Sequence, residues 1–102
     1  MRDERYAKLA DVLVNYSVGV EKGDLVAIQG AHLAEPLLLE IYRKALEARA
    51  YPFMRVQLPA AAEIYYRTAT KTQLKHLNPI SEFELEKIDK VISIWADENT
   101  KS

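Results

Sequence analysis

A chain of 102 residues, 49% hydrophobic and 28% charged, is one domain at most and has the composition of an ordinary soluble globular protein. Fourteen basic against fifteen acidic side chains give a net charge of −1, without the basic excess that a nucleic-acid binder carries. The lack of cysteine excludes a disulfide framework and a thiolate zinc site, and it fits a reducing, cytoplasmic setting.

The opening Met1-Arg2-Asp3-Glu4-Arg5 leads into no apolar segment of signal-peptide type, and no apolar run approaches the length of a membrane span. Glu and Lys dominate the charged set while Asn, Gln and Met are sparse, a lean toward a heat-adapted source.

Asp3 is placed to cap a first helix over residues 3–16, with Tyr6, Leu9, Ala10, Leu13 and Tyr16 recurring on one face. Glu4 and Lys8 form an i,i+4 pair on it. Gly19 and the Lys22-Gly23-Asp24 turn break the pattern, and the apolar run at residues 25–28 predicts a buried strand ending at Gly30. A second helix begins near Glu35-Pro36, since proline at a first helical position gives up no needed hydrogen bond. Its buried stripe is Leu38, Ile41, Tyr42, Ala45 and Leu46, with Glu40 and Lys44 paired on the outside.

Residues 51–58 form the second strand, where Pro52 is tolerable only near a start or on an edge. Residues 60–68 read as helix anchored by Ile64 and Tyr65. Residues 70–77 form a short helix capped by Thr70 or Thr72 and ended by Asn78-Pro79. Ser81-Glu82-Phe83-Glu84 has the form of a capping box that opens another turn or two. The apolar run at residues 91–96 is the third strand. Helix, strand, helix, strand, helices, strand predicts an α/β fold: a mostly parallel sheet flanked by helical crossovers. The strands are continuous apolar runs, as when helices cover both faces.

The third strand carries Val91, Ile92, Ile94 and Trp95, each contributing roughly 1.5–3 kcal/mol when buried. Pairing with the first strand meets part of that need. Asp97 or Asn99 could cap a further helix for which too few residues remain. The pattern therefore reads as the front portion of a larger protein, with an exposed apolar patch near Trp95, over the alternative of a frayed tail on a complete three-stranded domain.

Chemistry-bearing motifs are few. His32 and Glu35 stand i,i+3 after the first strand, but a metal centre wants three or four ligands, and a solvated histidine is the better reading. His76 sits on a short polar helix as a surface residue. The run from Gln29 to Glu35 holds the single Gly30, which is no dinucleotide fingerprint, and no phosphate-binding loop motif occurs elsewhere. Glu82, Glu84 and Glu86 beside Lys87 read as a solvated face. Tyr65, Tyr66 and Arg67 lack the basic field of a base-stacking surface and read as packing residues. No serine has a base partner near it in sequence.

Four segments carry a family likeness. Residues 4–24 (ERYAKLADVLVNYSVGVEKGD), residues 38–48 (LLEIYRKALEA) with Pro52 beyond them, Thr72-Gln73-Leu74, and Ala96-Asp97-Glu98-Asn99-Thr100 together resemble the N-terminal domain of the thermophilic metalloaminopeptidases, the aminopeptidase T and aminopeptidase S group. The likeness covers nearly the whole chain and rests on scaffold segments. Two departures are Ala60-Ala61-Ala62, where the family is more acidic, and Arg49-Ala50, where it more often has glycine.

The resemblance implies a cytoplasmic, homodimeric exopeptidase that removes N-terminal residues from peptide substrates with a two-metal site of zinc or cobalt. It implies metal ligands and a catalytic tyrosine in a C-terminal domain. No catalytic, cofactor-binding or metal residue is therefore assigned here, no metal is expected on this portion alone, and neither nucleic acid nor membrane is an expected partner. The portion in hand would shape the substrate cavity. The rival reading is a free-standing α/β module that binds a small ligand at the carboxyl ends of its strands or dimerises through Tyr65 or Tyr66.

Overall fold

A computed structural model describes residues 3–95. Expectations that fall on Ala96, Asp97 and Asn99 lie outside the described residues. Three parallel strands, β1 (Leu25–Ala31), β2 (Tyr51–Gln57) and β3 (Lys90–Ile94), form a sheet in the order β2-β1-β3. Ala27 lies opposite Phe53 on one side and Val91 on the other. Pro52 is second in the edge strand β2, where its missing N–H breaks no inner ladder. The α/β class and parallel sheet follow the alternation of elements in the sequence.

Helix α1 (Glu4–Val12) starts where Asp3 accepts a hydrogen bond from the Arg5 N–H, and it passes into a π-helical turn at Leu13–Ser17. The Val18 N–H donates to the Leu13 carbonyl at 2.9 Å, the wider ring of that turn. Only Ala10 and Val14 of this segment are fully buried, and Tyr16 is 75% exposed. Of the expected face, Ala10 is buried and Leu13 packs against the core, while Tyr6, Leu9 and Tyr16 do not. Small side chains at a four-residue step let α1 lie close on the second helix, and the tyrosines and Leu9 are left at the rim. The Glu4–Lys8 pair does not form among the described residues; Asp3 and Arg5 pair at 3.0 Å instead.

A 3-10 turn (His32–Ala34) leads from β1 into α2 (Glu35–Glu47), with Pro36 in its first turn. Leu38, Ile41 and Ala45 are buried and Tyr42 packs against them, while Leu46 is half exposed. Glu40, expected outside, is only 4% exposed. It lies where α1 crosses α2 and pairs with Arg43 at 3.5 Å, while Lys44 pairs with Glu47 at 3.4 Å. The i,i+3 partners won over the expected Glu40–Lys44 pair because α1 covers the Glu40 side.

Helix α2 ends in a tight cap. The Ala50 N–H donates to the Ala45 carbonyl at 3.1 Å and the Arg49 N–H to Leu46 at 2.9 Å, with Arg49 left-handed at φ 68°. An L-residue with a Cβ is strained there, and the Arg49 carbonyl is further fixed by the Gly23 N–H at 3.0 Å.

Between β2 and β3 the chain makes α3 (Pro59–Thr68), α4 (Lys71–Lys75) and α5 (Pro79–Lys87). Thr70 caps α4 in a reciprocal box with Gln73. Asn78 caps α5 through the Ile80 N–H with Pro79 first in the helix, so α5 starts ahead of the expected Ser81 box. None of these three helices buries a residue. Ile64, expected as an anchor, is 61% exposed, and Tyr65 is likewise open. The helices stand off the sheet as an arm, held to β2 by the Arg55–Glu84 ion pair.

The core lies on one side of the sheet. Val26, Ile28 and Ile92 meet Ala10, Val14, Leu38, Ile41 and Ala45 there. On the other face α5 reaches only the end near Leu25 and Phe53, and Val91 and Trp95 remain about half exposed. The strands are apolar on both faces, yet helices cover one face along β1 and β3 and the other only at a corner.

Gly30 sits where β1, β3 and α2 converge. A Cβ at this position would come within 2.1 Å of the Ile94 carbonyl oxygen and 3.3 Å of Leu38 Cδ2. The clash is with backbone, which cannot swing aside. Gly30→Ala should lower stability by about 1–3 kcal/mol in urea unfolding, and an unchanged midpoint would contradict the packing described. Arg49→Gly should instead raise it by about 1 kcal/mol, because only the left-handed strain is removed; a loss of stability would show that the Arg49 side chain does more than its backbone.

Candidate functional site

The residues singled out for chemistry scatter over the molecule. His32 opens the 3-10 turn after β1 with its side chain exposed, and Glu35 begins α2, also exposed. His76 caps the carboxyl end of α4. Glu82 and Glu86 are solvated, but Glu84 is not: it is half buried against Arg55, because α5 turns that side toward the edge strand. Lys87 lies over the Phe83 ring at 5.6 Å. Tyr65 and Tyr66 meet edge to face at 5.3 Å, and the Tyr65 hydroxyl donates to the Gln73 carbonyl at 3.2 Å.

Two places could receive a ligand. One is an open groove of about 540 Å³ between α3 and α4, lined mainly by Ile64, Tyr65, Ala69, Gln73 and His76. The other is the carboxyl edge of the sheet beside β1 and β3, the usual place for ligands in open parallel sheets. There Gln29 Nε2 donates to Ser93 Oγ at 2.9 Å.

The strongest electrostatic cluster lies at the opposite, amino end of the sheet and was not foreseen. Lys90 Nζ donates to Asp24 Oδ2 at 2.8 Å and to the Gly19 carbonyl at 3.2 Å. Asp24 also accepts the Glu21 N–H at 2.8 Å. Next to it Asp89 Oδ2 accepts from the Leu25 N–H at 2.8 Å, and the Asp89 N–H donates to the Leu25 carbonyl at 2.9 Å. The signal in the sequence was a charged pair, Asp89-Lys90, opening an apolar strand. The Lys90 hydrogen bond, then the Glu21 N–H, hold the Asp24 carboxyl below its usual range, and Asp24 in turn raises Lys90. This network joins the start of β3 to the turn before β1, which is structural work.

Among the described residues no three or more His, Asp or Glu side chains converge as a metal would require. No described helix is long and apolar enough to cross a membrane. What the molecule offers is a parallel α/β scaffold with an uncovered sheet face and a detached helical arm. Residues 2–102 match the family model described as thermophilic metalloprotease (M29). The chain belongs to that family and is a metallopeptidase-family domain, of the hydrolase class, whose members act on peptides with a metal cofactor. Comparison with curated proteins gives no match. The donor set of the described residues does not fit a metal centre: His32 and Glu35 are an exposed pair without a third ligand, and His76 stands on the arm.

The pH dependence of the Asp24–Lys90 pair has a definite sign. Because the folded Asp24 is more acidic than the unfolded one, its contribution holds above the unfolded value and fades as pH falls through the folded value. Lys90 is raised, so its share holds below its unfolded value and fades only at strongly alkaline pH. Asp24→Asn should lower Tm at neutral pH, and its gap from wild type should close on acidification. A gap constant down to low pH would remove the ion pair as the cause.

Proposed function

We propose that this chain is the N-terminal α/β domain of a metal-dependent aminopeptidase that hydrolyses N-terminal residues from peptides. The observation that carries this reading is the family match over residues 2–102. The likeness of the Glu4 to Asp24 run and of the second helix to the aminopeptidase T and S group narrows the reading from metallopeptidase to exopeptidase. The reacting groups, with a zinc or cobalt pair, belong to a C-terminal domain outside these residues. In this reading the protein is cytoplasmic and assembles as a homodimer.

The role left to the domain is to wall and shape the peptide cavity. Its uncovered sheet face, with Val91 and Trp95 about half exposed, supports a neighbour of apolar character. The chain itself should show no turnover of aminoacyl chromogenic substrates in the presence of Zn²⁺ or Co²⁺. The same assay on the gene product read past Ser102 should give metal-dependent release of N-terminal residues. Turnover by the 102-residue chain above the metal-free blank would overturn the assignment of chemistry to the other domain, and a stop codon at Ser102 would overturn the parent enzyme.

A further inference from the structure

Helices α3, α4 and α5 are ten, five and nine residues long and bury nothing. Helices shorter than about 12–15 residues do not stand alone in water, so the arm needs a surface to lie on. Its charges indicate which surface. On α4, Lys71, Leu74 and Lys75 share one face at i, i+3 and i+4, two cations beside an exposed apolar side chain. On α5, Glu82 and Glu86 stand i,i+4 with Leu85, 78% exposed, at i+3 from Glu82, two anions beside an exposed apolar side chain, while Phe83, Glu84 and Lys87 turn toward the sheet. Like charges at this spacing are mildly unfavourable within a helix. Elsewhere the chain pairs opposite charges along its helices, as Glu40 with Arg43, Lys44 with Glu47 and Glu63 with Arg67. Among the described residues no ion pair takes up Lys71, Lys75, Glu82 or Glu86.

We propose that the α3–α5 arm is the surface on which two copies of this chain meet, the basic face of α4 on one copy lying against the acidic face of α5 on the other. This rests on the homodimer of the preceding section and names its interface. A two-fold axis makes every contact occur twice, so a surface carrying one patch of each sign is complementary to itself. Leu74 and Leu85 then lose water together at the centre while the four charges form the rim, the arrangement typical of interfaces. A peptide or a surface of one sign would satisfy only half of the pattern.

The test is a charge swap followed by sedimentation velocity and native mass spectrometry on the full chain, with far-UV circular dichroism to follow helix content. Wild type should be a dimer that weakens with added salt. K71E/K75E and E82K/E86K should each raise the dimer dissociation constant about 100-fold, since like charges then oppose each other across the interface. An equimolar mixture of the two should recover a heterodimer. The quadruple variant K71E/K75E/E82K/E86K should dimerise with itself as wild type does, and it keeps the proposal testable if either double variant fails to fold. Dimers untouched by either double variant would overturn this interface while leaving the homodimer standing. A wild-type chain monomeric at all concentrations would overturn both, and a neighbouring segment of a longer polypeptide would then be the arm's cover. A quadruple variant that stays folded but monomeric would overturn the charge pairing.

Discussion

The middle strand depends on β3 coming close enough to Gly30 that the Ile94 carbonyl occupies the place of a side chain. With that approach, β1 has neighbours on both sides along Val26 to Gly30, and Ile28 beneath them is fully buried. Leu38 of α2 closes over the same spot, so the strand pairing and the helix packing share one contact. A stable domain of this size holds on the order of 5–15 kcal/mol, so a single convergence of this kind weighs heavily. The Asp24–Lys90 and Asp89–Leu25 bonds fix the other end of β3, and the strand is held at both ends rather than along a buried length.

That arrangement produces a lopsided molecule. Successive strand residues point to opposite faces, and the face with Val26, Ile28 and Ile92 has taken both of the well-packed helices. The strand order steps one way from β1 to β2 and back across to β3, so right-handed crossovers send α2 and the α3–α5 arm to opposite faces. The arm reaches its face only through Phe83, Glu84 and Lys87 near Phe53. The metallopeptidase-family domain is thus well packed where α1 and α2 lie and thinly covered on the opposite face.

Much of the scaffold was legible. Leu25 to Ile28 between turn residues could be little other than a strand, Pro36 marked the start of α2, and Thr70 with Gln73 announced α4 through a cap that needs no distant partner. Signals that depend only on local chemistry survived. What failed depended on a neighbour. The stripe of Ile64 and Tyr65 showed that a face existed but not what would cover it, and Glu40 was placed outside because α1's path over it has no mark in α2's own residues. The π-helical turn at Leu13–Ser17 shifted the buried set from Tyr16 to Val14 for a similar reason. On the functional side the motifs that were read were scaffold, so they could name a family but no reacting atom.

The separation of β2 from β3 by the entire arm also sets the order in which the chain can assemble. The unit of β1, α2 and β2 closes through one short crossover. β3 must search back across a much longer loop before its contacts compensate the lost entropy. Nascent chains would therefore pass through a two-stranded stage in which the middle strand's outer edge is bare, open to pairing with another molecule. Asp89, just before β3, and Lys90, its first residue, mark the parallel register through their bonds to Leu25 and Asp24, independently of the apolar side chains.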